Sequence, residues 1–135
     1  MREKYPHDVK LVFKNFPIPN HRFSLKAAVA ALAAARQQKF WEFHDALFKN
    51  YNQLSDAKIK EIVRTVGLDE AKFEAQKKNP AIMNHIRQDY QEGKKLGVRG
   101  TPAVFINGRR LHNRSMQNME KLIEKELKAQ AGKDK

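Results

Sequence analysis

The stretch Gly97-Val98-Arg99-Gly100-Thr101-Pro102-Ala103-Val104-Phe105-Ile106-Asn107-Gly108 decides how the rest of the chain is read. Ala103 to Ile106 is a short apolar run suited to a strand. Asn107-Gly108 is the dipeptide best suited to a type I′ turn, which requires positive φ at both central residues. Arg109 to His112 then returns as the antiparallel partner, so the sequence predicts a β-hairpin. Taken alone, Pro102 reads as an ordinary trans proline opening a strand, because only about 5% of X–Pro bonds in folded proteins are cis.

Downstream of the hairpin, Ser115 reads as the cap of a closing helix with Met116, Met119, Leu122, Ile123 and Leu127 on one face. The polar tail from Gln130 to Lys135 is expected to fray. Upstream lies a helical block. Asn79-Pro80 supplies an N-cap with proline at N1 for a helix burying Ile82, Met83, Ile86 and Tyr90, with an end near Gly93 or Gly97. Ser55 caps a helix carrying Ile59, Ile62, Val63 and Val66, which Gly67 ends by taking a left-handed C′ position. Asp69 opens a short helix through Phe73. The residues Phe40, Phe43, Leu47 and Tyr51, widened by Trp41 and Phe48, form the aromatic face of another helix. Ser24 reads as the N-cap of a helix from Leu25 to Gln38, so rich in alanine that close packing against a neighbour is expected. Before these helices, Val9 to Phe13 alternates like a largely buried strand, and Phe16-Pro17-Ile18-Pro19-Asn20 reads as an extended exit from it.

The composition narrows the chemistry. The chain has 135 residues, 27 Lys+Arg against 15 Asp+Glu for a net charge of +12, and no cysteine. That length suits one domain over residues 1–135, with enough apolar residues for a core. The absence of cysteine removes disulfides, thiolate metal sites, a thiol nucleophile and any dithiol within these residues. The start, MREKYPHDVK, lacks the apolar core of a secretory signal, and no apolar run reaches the about 20 residues of a membrane span. The basic excess is spread along the chain, which favours a solvated surface over one dedicated anion site.

Individual candidates add little. His21, His44, His85 and His112 lack metal-site spacing and a paired nucleophile, so no metal ligand, cofactor site or catalytic residue is assigned. Glu42 and Asp45 flank His44, but neighbouring helix positions diverge, which argues against an acid/base pair. Gly97-Val98-Arg99-Gly100 precedes a strand instead of opening a helix, unlike a phosphate-cradling loop. Arg99, Arg109, Arg110 and Arg114 gather around the hairpin as a local anion patch or a solubilising edge. Neither an aromatic stacking surface nor a helix-turn-helix accompanies them, which argues against nucleic acid.

Taken together, these motifs resemble the DsbA-like thiol-disulfide oxidoreductases. The resemblance rests on Leu11 to Pro19, the alanine-rich Ala27 to Ala35, Lys39 to Phe48 (KFWEFHDALF), and Gly97 to Gly108, which follow one another over essentially the whole chain. It implies an α/β fold of incomplete thioredoxin-like type: a small sheet, a helical insertion over about residues 24–96, and a C-terminal hairpin plus helix. It also implies that Thr101-Pro102 is a cis-proline loop, and that Arg99, Gly100, Thr101 and Pro102 contact unfolded or extended polypeptide. The implied parent is periplasmic or otherwise extracytoplasmic. One departure is large: the family's first strand and Cys-x-x-Cys helix have no counterpart, so the chain is expected to be redox-inactive. Two readings follow from it. The chain is either most of an oxidoreductase domain without its reacting sulfurs, or a non-catalytic peptide-binding or self-assembly module. The absent central strand would leave sheet edges unpaired, so a homodimer or strand-swapped oligomer is expected. Gel filtration at micromolar concentration should show association, and a profile of compact monomer alone contradicts it.

Overall fold

Local chain chemistry sets most helix boundaries. Ser55 Oγ accepts the Lys58 N–H at 3.0 Å and Asp69 Oδ1 accepts the Lys72 N–H at 2.9 Å. Asn79 Oδ1 accepts the Ala81 N–H at 3.0 Å, with Pro80 in the first turn, where its missing N–H costs nothing. Gly67, at φ 83°, and Gly97, at φ 81°, sit just past helix ends in a conformation that penalises a Cβ.

The computed structural model describes residues 4–18 and 23–133. Its elements are α1 (Ser24–Ala35), α2 (Phe40–Lys49), α3 (Asp56–Val66), α4 (Glu70–Lys77), α5 (Pro80–Lys95), β1 (Phe105–Ile106), β2 (Arg109–Arg110) and α6 (Met116–Lys133). They fall into two compact units: residues 14–97 form one, and residues 1–13 with 98–135 form the other. No described helix is long and apolar enough to cross a membrane.

The helical unit is organised around α1. Ala30, Ala31, Ala33 and Ala34 are buried, and their small side chains let α2, α4 and α5 approach. Phe43 and Phe73 fill the remaining space, both essentially without exposure, with ring centroids 5.8 Å apart. Ile59, Ile62, Val63, Ile82 and Ile86 complete the core. A polar clamp holds the entrance to this unit. The buried Asp89 Oδ2 accepts both the Asn15 backbone N–H at 3.0 Å and the buried Asn15 side-chain amide at 2.9 Å. His85 Nε2 stands 3.3 Å from the same oxygen, and Phe16 stacks on Tyr90 at 4.7 Å. Among the described residues no buried side-chain polar atom lacks a partner.

In the second unit, the segment before Phe13 meets α6. Tyr5 is buried and its hydroxyl donates to Glu124 at 2.6 Å, while Lys4 pairs with Glu120 at 2.9 Å. Ser115 Oγ accepts the Asn118 N–H at 3.2 Å, capping α6 as expected.

Several sequence expectations are corrected. Val9 to Phe13 forms no strand: among the described residues the only sheet is β1 with β2, and a strand exists only where a neighbour takes its backbone bonds. Leu11 and Val12 stand 53% and 57% exposed, so the expected burial is absent as well. Ser24 lies inside the first turn of α1, not at its cap, and its Oγ accepts the Ile18 N–H at 2.9 Å. α1 stops at Ala35, and Gln38 adopts φ 61° before α2 begins. Tyr51 falls beyond α2 and is exposed, because the helix ends at Lys49. α4 continues past Phe73 to Lys77, Gly93 lies within α5, and α6 continues through most of the expected frayed tail to Lys133. Strand pairing in the hairpin is shorter than the four-residue runs suggest. Pro19, Asn20 and His21 lie outside the described residues.

Phe43→Ala is expected to cost about 3–5 kcal/mol by opening a cavity beside Phe73 in the packed core. Asp89→Ala, which strands the two Asn15 donors, is expected to cost about 1–3 kcal/mol. Urea unfolding followed by circular dichroism checks both, and a loss under about 0.5 kcal/mol for either, the scale of ordinary surface substitutions, contradicts the corresponding assignment.

Candidate functional site

The hairpin register builds the site. Asn107 (φ 49°) and Gly108 (φ 80°) both take positive φ, as a type I′ turn requires, and they set Ile106 opposite Arg109 and Phe105 opposite Arg110. The Leu111 N–H donates to the Val104 carbonyl at 2.8 Å, which carries the alignment one step back from the turn. This alignment brings Arg114 beside the loop that precedes β1, where its Nη1 donates to the Pro102 carbonyl. The Thr101–Pro102 peptide bond is cis.

Arg99, Gly100, Thr101 and Pro102 are all exposed in this loop. A Cβ placed on Gly100 would meet nothing within 4 Å, so one side of the loop opens onto free space. The loop presents backbone groups and a threonine hydroxyl, with no group in it that could act as a nucleophile-base pair. Groups of this kind form hydrogen bonds.

The structure separates the four arginines that the sequence groups together. Arg109 Nε lies 3.2 Å from Glu126 Oε1, and Asn107 Nδ2 donates to the other oxygen of that carboxylate at 3.4 Å. Arg114 is committed to the Pro102 carbonyl, and Arg99 and Arg110 are exposed. The Arg114 contact has no signature in composition; it emerges only once the turn fixes the register. Nor could spacing reveal the Tyr5 contact with Glu124, which joins opposite ends of the sequence.

The histidines do not converge. His44 packs among Phe40, Trp41 and Phe48, with centroids 5.7, 5.3 and 4.6 Å away. Its Nδ1 reaches Asp45 Oδ1 at 3.3 Å, so these neighbours do approach, contrary to the reading from helix positions. His85 contacts Asp89, His112 is exposed, and His21 lies outside the described residues. Among the described residues no three or more His, Cys, Asp or Glu side chains gather where they could hold a metal ion.

A hairpin, a closing helix and a helical block define a class of fold, and comparison with known proteins identifies it. A family model described as the DSBA-like thioredoxin domain matches residues 1–124, and the chain belongs to that family. Among solved structures it is similar to the thiol-disulfide exchange protein alpha-DsbA2 of Wolbachia pipientis, with a TM-score of 0.76 and 31% identity over 84% of this chain and 63% of that one. It is 32% identical to the "Probable disulfide bond formation protein D" of Bacillus cereus over 89% of this chain and 59% of the relative. It is also 34% identical to the Na(+)/H(+) antiporter NhaA 3 of Salinispora tropica, over 77% of this chain and only 16% of that protein. The fold is thus an incomplete thioredoxin-like one, mostly helical, with a small antiparallel sheet. The chain spans little more than half of the disulfide bond formation protein that it matches, and these 135 residues contain none of the cysteines that dithiol exchange requires.

The Tyr5 phenol is held above its ordinary pKa, first by its hydrogen bond to the Glu124 carboxylate and then by burial. The raised value means that this contact stabilises the fold up to the ordinary tyrosine pKa and is lost as pH rises through the folded one. Phenolate absorbance in the alkaline range should therefore include a late-titrating tyrosine that vanishes in Tyr5→Phe and titrates earlier in Glu124→Gln. A tyrosine titration left unchanged by both variants contradicts the contact.

Proposed function

We propose that this chain is the polypeptide-binding part of a DsbA-like thiol-disulfide exchange domain, and that Arg99, Gly100, Thr101 and Pro102 contact an extended segment of substrate protein. Residues 24–96 are its helical insertion. The observation that carries this reading is the exposed loop at the hairpin entrance, held by Arg114 and open on the Gly100 side, in a chain of this family. A loop of this kind recognises backbone, which every substrate shares, by adding a strand-like neighbour. It needs no cysteine of its own for that step. Because sulfur exchange needs a thiolate, these 135 residues bind substrate without turning it over.

A second reading has its own observation. Leu11, Val12 and Phe13 are exposed in a segment outside the described sheet, which supports self-association through strand pairing.

A photoreactive group installed at position 101 should trap a reduced, unfolded polypeptide, and the same group at the exposed position 60 on α3 should not. Equal labelling from both positions, or none from 101, overturns the loop assignment. In a parallel assay the purified chain should leave the reduction of insulin by dithiothreitol at its uncatalysed rate. Acceleration by the pure chain refutes the absence of turnover.

A further inference from the structure

We propose that the Arg99–Pro102 loop selects extended polypeptide segments that carry acidic side chains, an inference that rests on the loop reading above. It begins with a gap in the charge pattern. Between Glu92 and Glu120 the sequence contains no Asp or Glu, while Arg99, Arg109, Arg110 and Arg114 all fall inside that interval. The first acidic residues of α6 are engaged elsewhere: Glu120 with Lys4 at 2.9 Å, Glu124 with Tyr5 at 2.6 Å, and Glu126 with Arg109 at 3.2 Å. Glu126 therefore offsets Arg109, and Arg99 and Arg114 remain as the charges that flank Gly100-Thr101-Pro102.

Arg114 touches the loop directly. A guanidinium carries five N–H donors and stays charged at any physiological pH. Its hydrogen bond to the Pro102 carbonyl leaves other donors and the whole charge available to a carboxylate alongside. That same bond uses one lone pair of the Pro102 carbonyl and holds the guanidinium against the loop. Arg99 is exposed two residues before Thr101, on the other flank of the loop. An incoming segment meets positive charge at both ends of its contact. Acidic side chains are favoured there, and lysine or arginine is repelled.

Fluorescence anisotropy on the 135-residue chain tests this with labelled peptides identical except for Glu, Gln or Lys at the same positions. The Glu peptide should bind about fivefold more tightly than the Gln peptide at low salt, as expected for an exposed charge pair, and the Lys peptide more weakly than either. The preference should fade at high salt. It should shrink in Arg99→Gln and in Arg114→Gln and persist in Arg114→Lys, which keeps the charge. Arg99→Gln alters an exposed side chain outside the Pro102 contact, so it tests the charge even where Arg114→Gln disturbs the loop. Equal binding of the three peptides overturns the selectivity while leaving the loop reading intact. Binding of none of them overturns the loop reading and this inference with it. A single-stranded oligonucleotide bound as tightly as the Glu peptide, with the same arginine dependence, overturns the assignment to acidic polypeptide in favour of a nucleic-acid site.

Discussion

The Asn107-Gly108 turn is the constraint on which the candidate site depends. Two consecutive positive φ angles are tolerated by few residue pairs, and this pair tolerates them. Once they are set, Ile106 must face Arg109, and the alignment runs back through Val104 and Leu111 until Arg114 reaches the Pro102 carbonyl. A turn one residue longer would shift every partner and move each side chain to the opposite face. The pairing of β1 with β2 and the reach of Arg114 to the loop thus follow from one dipeptide.

The helical unit obeys a different constraint, that of volume. Alanine on the buried face of α1 removes bulk, and the aromatic pair Phe43 on α2 and Phe73 on α4 restores it. Interiors pack near the density of organic crystals, so this exchange of small for large holds the unit to one arrangement. The buried Asn15 and Asp89 add direction to a core that is otherwise apolar.

Legibility followed the range of the interactions. Caps at Ser55, Asp69, Asn79 and Ser115, the stop at Gly67 and the hairpin turn are local, and each could be read from a few adjacent residues. The loop at Thr101-Pro102 was visible through family resemblance and not through its own chemistry. What escaped was pairing at long separation: Asn15 with Asp89, Tyr5 with Glu124, and Arg114 with a backbone carbonyl carry no periodic signal. The alternation at Val9 to Phe13 misled for the complementary reason. Apolar alternation records what a segment would bury against a neighbouring strand, and the described structure holds no such neighbour.

That segment carries its own safeguard. Lys10 and Lys14 bracket Leu11, Val12 and Phe13, and flanking charges of this kind act as gatekeepers against fibrillar stacking. Two antiparallel copies centred on Val12 would set each Lys10 against a Lys14. Centred on Leu11, they would set each Asp8 against a Lys14 instead. Repulsion in one alignment and attraction in the other make the exposed apolar run discriminating in how it can stack, and colloidal stability is the property that this discrimination protects.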